Sequence, residues 1–246
     1  MVVLYKMDKY LYYLIFSVIE MILWPFSNKK TNFNNQNLEN FGVDKVIESR
    51  KYKSKCYIIG RGPSLDKIDN LNLDDGVKIC INDTFRHVNN PDFIFWHDAC
   101  FLTLLPAMKK SNAFVVLPTC LNLYEKSFST IDYIKDYSDS IEISLYNKIN
   151  LPFFYNINKI ESDFLNIENS LIGISTTSHS AIWFTKKIGC KKIVFIGMDG
   201  KSVNGRTYSL KYEQQKVRRV TKFIYAKSRF ENILLCKLLN IDYEFI

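Results

Sequence analysis

Residues 56–65, CYIIGRGPSL, lead an apolar strand directly into a turn bracketed by glycines. Gly60 and Gly62 allow positive φ angles and a close approach of a ligand to the backbone. Pro63 suits the first helical turn, where its missing N–H is not needed, and Ser64 then opens a helix. Backbone N–H groups at such a helix start, with the aligned peptide dipoles, favour an anion such as phosphate. An ordinary tight strand–helix connection with a serine N-cap is the alternative interpretation.

This turn differs from the two common phosphate-binding motifs. The dinucleotide fingerprint Gly-x-Gly-x-x-Gly requires a glycine where Leu65 stands. The P-loop requires Gly-Lys followed by Ser or Thr, and no such sequence follows the turn.

Apolar runs that alternate with helical stretches define the expected fold. Several runs are nearly continuous Val, Ile and Phe, which is typical of strands covered on both faces. The alternation predicts an α/β fold, a single Rossmann-like domain over residues 43–246 with a mostly parallel sheet flanked by helices. The predicted strands are 56–59, 77–81, 93–96, 113–117, 193–196 and 243–246, and the predicted helices are 64–69, 100–110, 177–188 and 213–239. Residues 120–170 fit an insertion or a smaller lobe.

The N-terminal segment has a different character. Residues 11–26 are apolar and aromatic but include Ser17, Glu20 and Pro25, so the run falls short of the about 20 apolar residues that span a membrane. Tyrosines and Trp24 between flanking lysines favour a membrane-associating helix over residues 1–26, lying on a membrane surface through residues 10–26. Docking of this helix on the protein's own core or on a partner subunit is the alternative. Residues 27–42, rich in Asn and Lys, form a predicted linker.

Charge and cysteine content narrow the class of partner. The net charge of +8 favours an acidic partner, such as a phosphorylated substrate or an anionic membrane surface. Nucleic acid is not expected, because the basic residues do not belong to a recognised aromatic-interleaved module. The cysteines at 56, 80, 100, 120, 190 and 236 form no Cys-x-x-Cys pair and often lie in apolar runs. We therefore expect buried free thiols in a reducing compartment, and no zinc site.

Polar residues follow the predicted strands at the points where ligands bind in open parallel sheets. Asn82, the neighbours His97 and Asp98, and Asp199 each come at or just after a strand end. A hydroxyl-rich turn that opens the predicted helix 177–188 is a second candidate anion site, with an ordinary capped helix start as the alternative. Its candidate residues are Ser175, Thr176, Thr177 and Ser178. Together these residues predict a small-molecule pocket at one edge of the sheet.

Two of these positions suggest catalytic roles. His97 beside Asp98 suggests a general base, because a carboxylate can orient an imidazole and raise its pKa. Adjacent strand residues point to opposite faces, so a histidine that only hydrogen-bonds a sugar hydroxyl is the alternative. Tyr208, which follows the turn-forming Asn-Gly at 204–205, can present a phenol to a phosphate, whereas an exposed loop tyrosine is the commoner outcome.

The order of these motifs resembles that of bacterial sialyltransferases that use CMP-sialic acid, and of the related motility-accessory-factor glycosyltransferases. Residues 60–65, GRGPSL, are similar to the family's Gly-Asn-Gly-Pro-Ser-Leu opening. Asn82 matches a family asparagine near the nucleotide sugar, and Thr177 takes the place of a serine that contacts cytidine. Tyr208 matches a tyrosine that binds the leaving phosphate. The resemblance covers residues 55–246.

This resemblance implies a metal-independent, inverting glycosyltransferase without a cofactor. It would move an acidic ulosonic sugar (sialic acid, a related nonulosonate or Kdo) from a CMP donor to a bacterial surface glycan such as lipopolysaccharide. The enzyme would be cytoplasmic, peripheral on the inner face of the bacterial inner membrane, and compatible with a homo-oligomer. The implied donor-binding residues are Gly60, Arg61, Gly62, Pro63, Ser64, Asn82, Ser175, Thr176, Thr177, Ser178 and Asp199, with His97 or Asp98 as base and Tyr208 at the leaving group.

Two departures from the family pattern keep other functions open. Arg61 replaces the motif's asparagine, and the family's catalytic histidine is missing near residues 225–227. One alternative is a pyrophosphokinase of the hydroxymethyl-dihydropterin type, which would need ATP, Mg²⁺ and clustered carboxylates at Asp83, Asp98 and Asp199. A non-catalytic nucleotide-binding module is the other alternative.

Overall fold

The structure is a computed structural model that covers most of the predicted domain. It describes residues 42–48, 52–108, 112–123, 126–129, 134, 141–149, 170–172, 176–200, 206, 208–212 and 219–246. The predicted membrane-associating helix and the linker up to residue 41 lie outside these ranges. Within them, no helix combines the length and the hydropathy needed to cross a bilayer.

Parallel strands form the main sheet. In chain order the strands are β1 (Lys55–Ile59), β2 (Val77–Ile81), β3 (Phe93–Phe95), β4 (Phe114–Pro118), β5 (Cys120–Leu123), β6 (Lys126–Ser129), β7 (Ile143–Ile149), β8 (Ser170–Ile172), β9 (Lys192–Ile196) and β10 (Asp242–Phe245). Eight of these described strands lie side by side in the order β10-β9-β1-β2-β3-β4-β7-β8, all parallel to their neighbours. β5 and β6 form a separate antiparallel pair. The predicted α/β fold is therefore confirmed, and its strand order reverses direction between β1 and β9.

Helices cover both faces of this sheet. They are α1 (Val43–Glu48), α2 (Leu105–Met108), α3 (Thr177–Lys187) and α4 (Arg219–Leu238), with 3₁₀ helices at Pro63–Asn70, Asn82–His87, Ala99–Leu104 and Leu210–Tyr212. Cys56 and Ile58 of β1 belong to the core that contains residues of α3 and α4, whereas Tyr57 and Ile59 belong to the core under the first 3₁₀ helix. Because both faces of β1 are buried, its sequence is continuously apolar rather than alternating.

The predicted helix 64–69 is a 3₁₀ helix rather than an α-helix. A connection between parallel strands must return along the length of a strand, which is about 17 Å for five residues. The eight residues Pro63–Asn70 span about 16 Å as a 3₁₀ helix, but only about 12 Å as an α-helix. The tighter helix thus lets a short segment cover the strand. The predicted helix 100–110 likewise consists of a 3₁₀ segment followed by α2.

The segment 120–170 contributes to the main sheet. Its described parts include β7, which pairs with β4, and its neighbour β8 starts at Ser170. The expectation of an insertion or a smaller lobe is therefore wrong for β7. Only the β5–β6 pair stands apart from the main sheet within the described part of this segment.

A disulfide joins Cys56 at the start of β1 to Cys190 just before β9. The two Cα atoms are 6.3 Å apart, within the usual range for disulfides. The expectation of free thiols is wrong for this pair, because β1 and β9 are neighbours in the sheet although 134 residues separate the cysteines. Cys80 and Cys236 are buried free thiols as predicted, and burial raises the pKa of each to about 12. The bonded pair removes part of the support for a reducing compartment.

Candidate functional site

A cavity of about 260 Å³ lies beyond the carboxyl ends of β1, β2, β3 and β9, where the strand order reverses. This is the position at which open parallel sheets bind ligands. The predicted site residues that line it are Gly60, Arg61, Gly62, Asn82, His97, Asp98, Thr176, Thr177, Ser178, Asp199 and Tyr208. Pro63 and Ser64 are buried and do not line the cavity, and Ser175 lies outside the described residues. The lining residues that the sequence analysis did not assign to the site include Tyr225, Ser228, Arg229 and Asn232.

The glycine turn packs against the end of β9. Gly60 N–H donates to the carbonyl of Ile196 at 2.8 Å, and Gly62 N–H donates to the carbonyl of Gly197 at 2.7 Å. A Cβ atom at Gly60 or Gly62 would come within 2.7 or 2.8 Å of the Gly197 carbonyl oxygen. Gly62 has φ −67°, so these glycines are needed for close backbone packing rather than for positive φ. The predicted anion site on their N–H groups is wrong, because the N–H groups are already bonded to β9.

Asp199 fills the helix start that the sequence assigned to a ligand. Its Oδ2 accepts the Ser64 backbone N–H at 3.1 Å and the Ser64 hydroxyl at 3.2 Å. The Ser64 oxygen in turn accepts the Gly197 N–H at 2.8 Å. The protein's own carboxylate therefore occupies the position where an external anion was expected. Ser64 acts as a bridge that holds Asp199 and the loop after β9 in the cavity wall.

Asn82 presents an unpaired acceptor at the end of β2. Its backbone has φ 59°, a left-handed conformation that asparagine tolerates better than most residues. Its Oδ1 is buried and has no hydrogen-bond partner among the described residues. Next to it, the Thr84 hydroxyl donates to the Ile59 carbonyl at 2.9 Å and ties this turn to β1. A buried acceptor without a partner in a cavity wall is poised for a donor on a ligand.

Arg61 lines the cavity with a partly neutralised charge. Its Nε donates to Asp83 Oδ1 at 2.6 Å. The guanidinium carbon also lies 5.2 Å from the ring centres of both Phe101 and Tyr212. Arg61 is therefore fixed in place, and any phosphate that it contacts shares it with Asp83.

His97 and Asp98 reach the same cavity in different environments. His97 is buried, and its Nε2 lies 2.6 Å from the hydroxyl of Tyr146 on β7. Burial raises the pKa of Tyr146, so this phenol stays neutral in the hydrogen bond. Asp98 is exposed. Both line the cavity, and of the two predicted base candidates Asp98 is the one exposed to solvent.

The hydroxyl-rich turn forms one connected network. Thr176 caps α3, and its Oγ1 lies 2.7 Å from Ser178 Oγ. Ser178 Oγ donates to Asn232 Oδ1 on α4 at 2.9 Å. The Thr176 N–H points to His179 Nδ1 at 3.4 Å, which completes a capping box. The turn is thus both a helix cap and part of the cavity wall. Its hydrogen bond from Ser178 also holds the Asn232 side chain in place.

Tyr208 meets a second phenol at the cavity mouth. Its hydroxyl is hydrogen-bonded to that of Tyr225 on α4. Burial and this hydrogen bond raise the pKa of Tyr225, so that phenol remains a donor at neutral pH. Asp66 holds the segment of Tyr208 against the first 3₁₀ helix, by accepting from Arg206 Nη1 at 3.1 Å and from Leu210 N–H at 2.9 Å. Tyr225 lies within residues 225–227, the segment near which the family resemblance leads us to expect a histidine.

The carboxylates required by the pyrophosphokinase hypothesis are engaged separately. Asp83 pairs with Arg61, and Asp199 is bound by Ser64. In the part of the chain that the structure describes, no group of three or more His, Cys, Asp or Glu side chains is arranged to hold a metal ion.

Tyr225, Ser228 and Asn232 are among the site residues that sequence reasoning missed. They share one face of α4, because their spacing of three and four residues returns to the same side of a helix. That spacing is visible in the sequence, but the sequence analysis predicted only a helix over residues 213–239 there and assigned none of its residues to the site.

No protein-family model matches this sequence, and no curated protein matches it. Among solved structures, the MAf glycosyltransferase from Magnetospirillum magneticum AMB-1 has a TM-score of 0.42 at 17% identity, over 69% of this chain. The monofunctional alpha-2,3-sialyltransferase Cst-I from Campylobacter jejuni has a TM-score of 0.43 at 14% identity, over 78% of this chain. An alpha-2,3-sialyltransferase from Campylobacter jejuni in apo form has a TM-score of 0.39 at 13% identity. The chain spans 26% of the MAf chain and 75% of the Cst-I chain, and the likeness concerns the fold alone.

Proposed function

We propose that the protein is a glycosyltransferase that takes an acidic ulosonic sugar from a CMP donor. The observation that supports this most is the meeting of Asn82, the hydroxyl turn 176–178 and the phenols of Tyr208 and Tyr225 around one cavity. These groups come from distant parts of the sequence and from separate elements of the fold. A nucleotide has the mixture of phosphate, hydroxyl and base edge that such a set of neutral donors and acceptors can bind.

The two phenols suit the departure of a nucleotide. When the bond between the anomeric carbon and the phosphate oxygen breaks, CMP leaves with negative charge that oriented donors stabilise. The pKa of Tyr225 is raised by burial, so its phenol keeps its proton and donates. Tyr208 would become the second donor when the leaving phosphate replaces the hydrogen bond between the two phenols, because each phenol has a single O–H to give.

The acceptor hydroxyl must lose its proton as its oxygen bonds to the anomeric carbon. Asp98 is the proposed base, because it lines the cavity and is exposed. His97 also lines the cavity, but its Nε2 is engaged by Tyr146. We therefore assign His97 to substrate contact rather than to proton abstraction. The net charge of +8 suits an anionic acceptor such as a lipopolysaccharide precursor, at the inner face of a bacterial inner membrane.

Nucleotide preference tests the proposal directly. Saturation-transfer NMR with CMP and with AMP, in the presence of a chelator, should show contacts to cytidine protons and weaker or no contacts to adenosine protons. Contacts with adenosine alone would overturn the CMP proposal and favour the pyrophosphokinase. Binding of CMP without turnover of any CMP-sugar, over a panel of glycan acceptors, would instead indicate a non-catalytic module.

Asn82→Ala, with Asn90→Ala as matched control, tests the site itself. Both asparagines have positive φ, 59° and 49°. An alanine in this left-handed conformation costs about 1–2 kcal/mol, so both variants carry a similar backbone strain. Asn90 lies on an exposed turn, whereas Asn82 lines the cavity. We expect CMP affinity, measured by calorimetry, to fall about ten-fold only for Asn82→Ala. Equal affinities in the two variants would remove Asn82 from the donor site.

A further inference from the structure

Asn232 on α4 is a buried amide in the cavity wall, and only its oxygen has a hydrogen-bond partner among the described residues. The residue has 0% exposure and lines the cavity. Its Oδ1 accepts the Ser178 hydroxyl at 2.9 Å, and Ser178 is itself bonded to Thr176 Oγ1. In this arrangement the Ser178 hydroxyl donates to the amide oxygen, which leaves the NH₂ end of Asn232 as the end available to a ligand.

The Nδ2 group of Asn232 has no hydrogen-bond partner among the described residues. A buried donor that lacks an acceptor destabilises a protein, and such groups are rare unless a ligand or another function uses them. The NH₂ group is therefore available to donate a hydrogen bond to an acceptor atom of a ligand.

The position of Asn232 along α4 indicates which part of a ligand it meets. Tyr225 and Asn232 both line the cavity and are seven residues apart on one helix, which corresponds to about 10 Å at the α-helical rise. Ser228 lines the cavity between them. This separation is comparable with that between the phosphate and the base edge of a mononucleotide. If the phosphate lies at Tyr208 and Tyr225, as the proposed function requires, the base lies at Asn232.

We propose that Asn232 determines base specificity by donating an Nδ2 hydrogen to the ring nitrogen N3 of cytosine. This inference rests on the proposed function. Cytosine N3 carries a lone pair and no hydrogen, so it accepts from the amide. Uracil N3 carries a hydrogen. If UMP occupied the site, the uracil N3–H and the Asn232 NH₂ group, both donors, would therefore face each other in a buried position. Asn232 thereby selects CMP over UMP through a clash of donors as well as through a hydrogen bond.

The test compares nucleotide affinities of the full-length protein by calorimetry. The nucleotides are CMP, UMP and 3-deazacytidine 5′-monophosphate, which keeps the shape of CMP but lacks the N3 acceptor. For the wild type we expect CMP to bind about ten-fold or more tightly than either of the others. Asn232→Asp presents a carboxylate that still accepts from Ser178 and now accepts from uracil N3–H, so it should reverse the preference between CMP and UMP.

Asn240→Asp is the matched control, since it makes the same chemical change at an exposed position just after α4. It should keep the preference of the wild type. If Asn232→Asp does not fold, the comparison of the three nucleotides on the wild type alone decides the question.

The outcomes separate this inference from the proposed function. A wild type that binds CMP but binds UMP or the deaza analogue equally well overturns the inference and leaves the proposed function standing. A folded Asn232→Asp variant that keeps the preference for CMP also overturns it. A wild type that binds no pyrimidine nucleotide overturns the proposed function, and the inference with it.

Discussion

The polar groups at the two ends of the sheet differ in whether they have hydrogen-bond partners. At the amino end, the phenol of Tyr57 and the ammonium of Lys55 both bond the carboxylate of Asp75, and Lys78 N–H bonds Asp92 Oδ2 at 2.7 Å. At the carboxyl end, Asn82 Oδ1 and Asn232 Nδ2 are buried without partners among the described residues. The first arrangement closes the fold on itself, whereas the second leaves hydrogen-bonding capacity for something that the protein binds.

The backbone differs between the two ends in the same sense. The amino end is joined by the disulfide between Cys56 and Cys190. The carboxyl end is joined by two neighbouring loops, at 60–62 and 197–199, that pack backbone against backbone. The cavity wall therefore depends on the absence of side chains, and we expect it to be the part most sensitive to small substitutions.

Gly197→Ala, compared with Gly189→Ala, should give the largest difference between the ends. Both glycines have positive φ, 65° and 79°, so both variants carry left-handed strain. A Cβ at Gly197 would overlap the Gly60 carbonyl oxygen, whereas nothing lies within 4 Å of a Cβ at Gly189. We expect Gly197→Ala to lose about 4 kcal/mol of unfolding free energy from strain plus overpacking, against about 1 kcal/mol for Gly189→Ala. Urea unfolding measures both values.

Similar losses in these two variants would show that the carboxyl-end loops can move apart at little cost. In that case the close packing of Gly60 and Gly62 on β9 would not be what holds the cavity wall in place.

Tyr208→Phe, compared with Tyr57→Phe, separates a functional phenol from a structural one. Both changes remove one hydroxyl that is hydrogen-bonded to another side chain. We expect Tyr208→Phe to lower the rate of sugar transfer by about 100-fold, in line with the loss of one donor to a developing charge. Tyr57→Phe should lower the unfolding free energy by about 1 kcal/mol and leave the transfer rate unchanged.

Rates from a coupled assay and melting temperatures for both variants check this pair. If Tyr208→Phe transferred sugar at the wild-type rate, the leaving group would not lie at the two phenols.

The fold was largely predictable because its central strands are buried on both faces. The runs at β1 and β9 are apolar after a first lysine, and only Lys78 interrupts the run at β2. This pattern is a direct consequence of helices on both sides. β7 and β8 were not recognised. β8 is an edge strand of only three residues, and β7 includes Ser144 and Asn147, so the local sequence has neither a continuous apolar run nor a clear alternation.

The site was predictable at strand ends, at the hydroxyl turn 176–178 and at Tyr208. Asn82, Asp98 and Asp199 could be located because parallel strands finish at one edge. The hydrogen-bond partners of the Gly60 and Gly62 N–H groups could not be predicted. They depend on the pairing of β1 with β9, two strands that are distant in the sequence. Asn232 was missed for a similar reason, since its burial arises from the docking of α4 on α3 and not from its own neighbours in sequence.

Asp66→Asn, compared with Asp69→Asn, should give the smallest effect and the most specific one. Asp66 fixes the segment that carries Tyr208 through Arg206, Ser209 and Leu210, whereas Asp69 pairs with Lys211 at the surface. An asparagine at 66 can still accept from Leu210, but its NH₂ end cannot accept from the Arg206 guanidinium. The lost contact is partly exposed and is worth about 1 kcal/mol or less, so we expect transfer to slow about three- to five-fold.

Asp69→Asn should be indistinguishable from the wild type, because an exposed ion pair contributes little. Measured kcat and KM locate the defect: a segment that holds Tyr208 over the leaving group should change kcat more than KM. If Asp66→Asn raised KM alone, the segment would act in binding the donor rather than in its departure. The difference between the two ends of the sheet would then be one of binding capacity, with the chemistry carried by Asp98, which follows β3.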